Sequence, residues 1–126
     1  MKLLIIDTTK LTAFIVAVCD ELNYVKIIPE TQKHSEELLN GIETLLNGAG
    51  VELKDFDAVG CVTGPGSFTG IRIGMSTVKA FVCANNLKLI SGTFFDIIGS
   101  YVKNGTVILK NTNTTCYLAQ ISNAKV

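Results

Sequence analysis

Residues 58–74, Ala58-Val59-Gly60-Cys61-Val62-Thr63-Gly64-Pro65-Gly66-Ser67-Phe68-Thr69-Gly70-Ile71-Arg72-Ile73-Gly74, set the architecture. Residues 58–63 form an apolar run suited to a strand buried on both faces. The glycine-rich turn Gly64 to Gly70 follows, and apolar residues then recur at helical spacing over 71–86. A strand feeding a helix through a tight turn is a building unit of α/β sheets. Two readings of the turn stand open. Its N–H groups and the helix dipole could hold an anion. Alternatively, the glycines take positive φ in a tight turn, with Ser67 or Thr69 capping the helix. A P-loop is excluded because Ile71-Arg72, not Lys-Ser/Thr, follows Gly70, and a dinucleotide fingerprint because Thr69 stands where its third glycine belongs. Ser67 is not a nucleophile elbow either, since Phe68 and Thr69 separate it from Gly70.

Upstream, residues 3–6 are an apolar strand that delivers Asp7, Thr8 and Thr9 at its carboxyl end. Residues 14–19 and 24–28 are two further strands, joined in a hairpin by Asp20-Glu21-Leu22-Asn23, and Pro29 ends the meander. From Ser35 the period becomes helical through Leu38, Leu39, Ile42, Leu45, Leu46 and Ala49, with Glu36 and Glu37 in the first turn and Gly48 and Gly50 at the end. Downstream, 87–90 reads as a strand, 94–102 as a third helix, and 107–110 with 116–121 as a hairpin. Three meandering strands followed by strand–helix alternation predict an α/β domain with a mixed sheet and flanking helices.

The helix over 71–86 carries an anomaly. Ile71, Met75, Val78 and Val82 make one apolar ridge, Ile73, Gly74, Ala80, Phe81 and Ala84 fill most of the rest, and only Arg72 and Lys79 are charged. A helix lying on a sheet ordinarily shows one broad polar face. Either a partner covers a second side, or the helix is central to the core with Arg72 and Lys79 reaching outward.

The chain has 126 residues, 48% of them apolar, enough for one domain with a core that needs no metal or disulfide staple. Eleven Lys and Arg balance eleven Asp and Glu, with no basic run, so the chain lacks the charge footprint of a nucleic-acid binder. Cys19, Cys61, Cys83 and Cys116 sit apart among apolar neighbours and read as free thiols of a reducing cytosol. Asp7 interrupts the opening apolar run too early for a signal peptide, and no uncharged run reaches the ~20 residues of a membrane span, so a cytoplasmic location and no membrane association are expected. His34 is the sole histidine, which rules out a His-pair metal site, and no metal, cofactor or catalytic group is expected. Asp7 with Thr8 and Thr9 is open to two readings: Mg²⁺ held through water beside a nucleotide, or a cap on the following turn.

The segment Gly64 to Gly74 resembles the signature of the TsaB (YeaZ) family, supported in order and spacing by Leu4-Ile5-Ile6-Asp7-Thr8-Thr9 and by Lys33-His34-Ser35-Glu36-Glu37-Leu38-Leu39. The resemblance implies an actin-like, Hsp70-like ATPase lobe with a ribonuclease-H-like sheet. It further implies a non-catalytic scaffold that pairs with the catalytic subunit TsaD, with TsaE in the larger complex, in forming N6-threonylcarbamoyladenosine beside the anticodon of tRNA. Transferred by position, the pairing face draws on Leu38, Leu39, Ile42, Leu46, Ile71, Met75, Val78, Lys79 and Val82. Asp7, Thr8 and Thr9 become a vestigial nucleotide site, and Gly64, Pro65, Gly66, Ser67, Phe68, Thr69, Gly70 and Arg72 the signature turn. A homodimer is expected when TsaD is absent, with tRNA contacted only indirectly. Family members usually continue into a second lobe, so the 126 residues correspond to the first lobe plus a hairpin. The hairpin also departs from the family in showing Lys110-Asn111-Thr112-Asn113-Thr114 in place of the usual Asp and Arg. The alternatives are a phosphate- or nucleotide-binding ATPase-like domain built on Asp7, Thr8 and the turn, and the peptidase activity sometimes attached to this superfamily, against which the lack of metal-ligand pairs argues.

Overall fold

The computed structural model describes residues 1–30 and 33–123. Three strands, Lys2–Asp7 (β1), Ala13–Cys19 (β2) and Leu22–Ile28 (β3), form an antiparallel meander, followed by the helix His34–Ala49 (α1). A short 3-10 turn, Leu53–Asp55, leads to Ala58–Val62 (β4), the helix Phe68–Asn85 (α2) and Lys88–Gly92 (β5). A six-residue helix, Phe94–Gly99 (α3), and a separate hairpin of Asn104–Lys110 (β6) and Cys116–Ser122 (β7) complete the order. The five-stranded sheet runs β3-β2-β1-β4-β5, with β4 parallel to both β1 and β5. The expected mixed α/β architecture is borne out.

Sequence explains most of these boundaries. β4 is buried along its whole length because strands on both sides and helices above close over it. Gly50, at φ +67°, ends α1 in the left-handed conformation and returns its N–H to the carbonyl of Asn47. Asp20, at φ +55°, turns the first hairpin so tightly that Cys19 pairs with Leu22, a shorter loop than the four residues expected. The third helix stops at Gly99, three residues early, while Thr93 and Asp96 form a capping box at its start.

α1 and α2 lie on one face of the sheet, where Leu38, Ile42 and Leu45 of α1 and Val78 of α2 join Leu4, Ile6, Ile15 and Val59 in the core. The opposite face is also apolar but less covered. Phe14, Val25, Ile27 and Ile90 there are 39%, 58%, 53% and 44% exposed.

Candidate partner-docking surface

The glycine-rich turn connects β4 to α2 and packs against the residues that follow β1. α2 begins at Phe68, earlier than expected, with Ser67 as its cap: the hydroxyl of Ser67 accepts the Gly70 N–H at 3.2 Å. Ser67 in turn donates its own N–H to the Thr9 carbonyl at 2.7 Å. The Thr8 hydroxyl, buried, donates to the Gly70 carbonyl at 2.6 Å. Asp7 accepts both the N–H and the hydroxyl of Thr9, at 2.8 and 2.7 Å, and so caps the turn. The Lys10 ammonium donates to the Pro65 carbonyl at 2.8 Å.

This contact corrects the expected role of the glycines. Positive φ occurs in the turn at Gly64, φ +124°, and not at Gly66 or Gly70. Those two are required by close approach instead. A Cβ on Gly66 would overlap the Thr9 carbonyl oxygen, and one on Gly70 the Thr8 carbonyl oxygen. Two of the three residues expected as a vestigial nucleotide site, Thr8 and Thr9, therefore meet the signature turn directly, with their hydroxyls committed to hydrogen bonds inside the molecule, while Asp7 binds Thr9.

The residues expected on the pairing face divide into two sets. Leu38, Ile42 and Val78, at 2%, 3% and 0% exposed, face the sheet and are core residues. Ile71, Leu46 and Val82 are half-buried at the flanks. Leu39, Met75 and Lys79 are exposed. The expected ridge of Ile71, Met75, Val78 and Val82 is thus not one surface. α2 instead docks through Gly70, Gly74 and Val78, where small residues let it sit close over β1 and β4. This also resolves the alternative of a central helix, since one side of α2 is open along its length.

The open side is nonetheless apolar in part. Phe68 is 73% exposed with the Arg72 guanidinium 5.4 Å from its ring centre, and Met75, Ala80, Cys83 and Ala84 continue the surface. A groove of about 330 Å³ lies between the two helices and the 3-10 turn, lined by Leu39, Ile42, Leu46, Val51, Leu53 and Phe81. Sequence reasoning missed Phe68, which it placed in the turn, and Val51, Leu53 and Phe81 as groove walls. The apolar run Val51-Glu52-Leu53 beside the end of α1 was the available signal. It also missed the second sheet face, which the apolar Val16, Val25 and Ile27 signalled.

Charge chemistry is sparse. Among the described residues no cluster of three or more metal-binding side chains occurs, and no helix is long and apolar enough to cross a membrane. Burial raises the Cys61 thiol above its ordinary pKa. Hydrogen bonds from the Thr93 hydroxyl and backbone hold the Asp96 carboxyl below the usual range.

An α/β lobe with this meander and two helices on one face has a fold similar to the ribonuclease-H-like ATPase fold. The family profile described as TsaD, tRNA N6-adenosine threonylcarbamoyltransferase, matches residues 22–91, and the chain belongs to that family. Sequence relatives include the tRNA N6-adenosine threonylcarbamoyltransferases of Sphingopyxis alaskensis, 37% identical over 70 residues, and Streptococcus agalactiae, 38% over 66. These matches cover 54% and 51% of the chain but only 20% of each enzyme, so the chain spans about a fifth of their length. The structure of YeaZ from Pseudomonas aeruginosa superposes with a TM-score of 0.81 at 20% identity, over 98% of this chain and 61% of that one. The chain therefore shares the fold of YeaZ, as the sequence resemblance implies.

Proposed function

We propose that the chain acts in tRNA threonylcarbamoylation as a non-catalytic scaffold subunit of TsaB type. It pairs with a TsaD-type catalytic subunit through the exposed sides of α1 and α2, with a TsaE-type protein in the larger complex. Its 126 residues serve as one actin-like lobe, tRNA is met only through the partner, and the site of action is the cytoplasm. In the absence of that partner the same surface takes a second copy.

The observation that carries this reading is the surface of Leu39, Phe68 and Met75, 59%, 73% and 38% exposed, running beside an apolar groove. Large apolar side chains exposed together on one side of a molecule are retained where another protein covers them. The nucleotide-binding alternative draws less support. Its Thr8 and Thr9 are each 1% exposed and bonded within the molecule, and Asp7 is occupied as a turn cap.

Co-expression with the cognate TsaD-type subunit tests the reading. Wild-type chain should co-elute with that subunit, and Met75→Glu should abolish co-elution while circular dichroism stays unchanged. Val78→Asp is unsuitable, because Val78 is fully buried and a charge there would unfold the chain. Undiminished co-elution of a folded Met75→Glu variant would contradict the proposed face. Titration with ATP and Mg²⁺ should give no binding heat, and a saturable isotherm would favour the nucleotide-binding alternative.

A further inference from the structure

A strand at the rim of a sheet leaves every second N–H and C=O without a ladder partner, and such rims are ordinarily guarded by charge, shortness or a kink. Among the described residues four strands have an open rim, β3 and β5 of the main sheet and both strands of the hairpin. Three of them are guarded. β3 carries Lys26, β6 carries Lys110 together with Gly105 at φ +155°, and β5 is only five residues long and begins at Lys88. β7 has seven residues and no charge, glycine or proline.

The hairpin is also short of strands. Two strands alone make a marginal sheet in water, and a third ordinarily completes it. The inner face is already used, since Ala119 and Ile121 are buried. On the outer face Ile108 and Leu118 stand directly opposite each other, 65% and 64% exposed. The closing bond of the hairpin shows which backbone groups lie open: Asn111 donates its N–H to the Thr115 carbonyl at 3.0 Å, next to the pair of Lys110 and Cys116. Alternation along an antiparallel ladder then turns the backbone groups of Tyr117, Ala119 and Ile121 toward β6, and those of Cys116, Leu118, Gln120 and Ser122 outward. Among the described residues no backbone bond from outside the hairpin reaches that outward row.

We infer that β7 takes β7 of a second copy, antiparallel about a two-fold axis at Ala119, and so joins two hairpins into one four-stranded sheet. The strand is its own complement in this register. Leu118 of each copy lies opposite Gln120 of the other, and Cys116 opposite Ser122, so the outward residues meet one another as hydrogen-bonded pairs and no charge faces a charge. It is also the one symmetric register that pairs all seven residues of the strand. An isologous contact of this kind closes at two copies. The hairpin belongs to neither α1 nor α2, so the inference goes beyond the helical face and stands apart from it.

Cross-linking reads the register. In a chain carrying Cys83→Ser and Ser122→Cys, the introduced thiol faces Cys116 of the other copy at the ~5.5 Å Cα separation of a hydrogen-bonded pair, within reach of a disulfide. Within one chain the two positions lie ~20 Å apart along the strand and cannot join. Oxidised glutathione should therefore yield a covalent dimer in which mass spectrometry finds positions 116 and 122 linked, and Cys83→Ser alone should yield none. Sedimentation equilibrium reads the affinity in a Met75→Glu parent, whose helical face is disabled. Leu118→Lys with Gln120→Lys sets like charges directly opposite across the axis and should weaken the dimer about tenfold, whereas Leu118→Lys with Gln120→Glu makes those pairs opposite in sign and should return it to within about threefold of the parent. Both positions are exposed, so circular dichroism should match the parent in each variant. A parent monomeric at about 100 μM, or the absence of the link between positions 116 and 122, would overturn the inference and leave pairing of the helices with the catalytic subunit standing. A double-lysine variant that dimerises as its parent does would overturn it as well.

Discussion

Replacing Gly70 by Ala should weaken the fold far more than one methyl group ordinarily does. The added carbon would overlap the Thr8 carbonyl oxygen, a backbone atom with no rotamer through which to withdraw. Overpacking of this kind costs about 1–3 kcal/mol. The strand end and the helix must then separate, which stretches the buried bond from the Thr8 hydroxyl to the Gly70 carbonyl, 2.6 Å long, and exposes a further loss of about 1–3 kcal/mol. The two effects together predict a destabilisation of about 2–6 kcal/mol, a large share of a domain's total of about 5–15 kcal/mol. Gly48→Ala supplies the control. It lies within α1 with open space around the new methyl and should stabilise by about 0.5–1 kcal/mol through reduced freedom of the unfolded chain. Urea unfolding followed by circular dichroism measures both. A Gly70→Ala variant within about 0.5 kcal/mol of wild type, the ordinary range for surface changes, would refute close approach as the reason for this glycine.

Adjacent leucines should part company: Leu38→Asp, at a core position 2% exposed, should destabilise by roughly 4 kcal/mol or more, whereas Leu39→Asp, 59% exposed, should unfold like wild type and lose partner binding, as urea titration and co-elution would record. The Asp96 carboxyl should titrate below the ordinary carboxylate range in an NMR pH series. Because its folded pKa is depressed, its capping of α3 is fully present above the unfolded value near ~3.9 and is lost as pH falls through the folded one; a pKa at or above the ordinary value would contradict the capping box. A thiol reagent should modify exposed Cys83 and Cys116 first and Cys61, buried and raised in pKa, last, as mass spectrometry of peptides would resolve.

The sequence made the order of elements legible because its periods change cleanly, from apolar runs in β1 to β3 to the 3.6-residue repeat of α1. Its reading of α2 was less secure for a physical reason. A helix that docks through Gly70 and Gly74 conceals its buried face, since glycine registers as neither apolar nor polar in a periodicity count. The ridge of Ile71, Met75, Val78 and Val82 was therefore assigned to one surface when only Val78 of the four is fully buried. The three-residue motif Asp7-Thr8-Thr9 was open to a ligand or a cap on sequence alone. Its bonds to residues about sixty positions away, Thr8 to Gly70 and Thr9 to Ser67, are long-range contacts that no local pattern encodes.

Hydrogen exchange of the chain with and without its cognate TsaD-type subunit tests the central claim most directly. The account predicts new protection in His34–Ala49 and Phe68–Asn85, the two helices whose outer sides form the docking surface, with no change in Ala13–Cys19 and Leu22–Ile28. Protection confined to those two strands, where Phe14, Val25 and Ile27 form the other exposed apolar face, would contradict it.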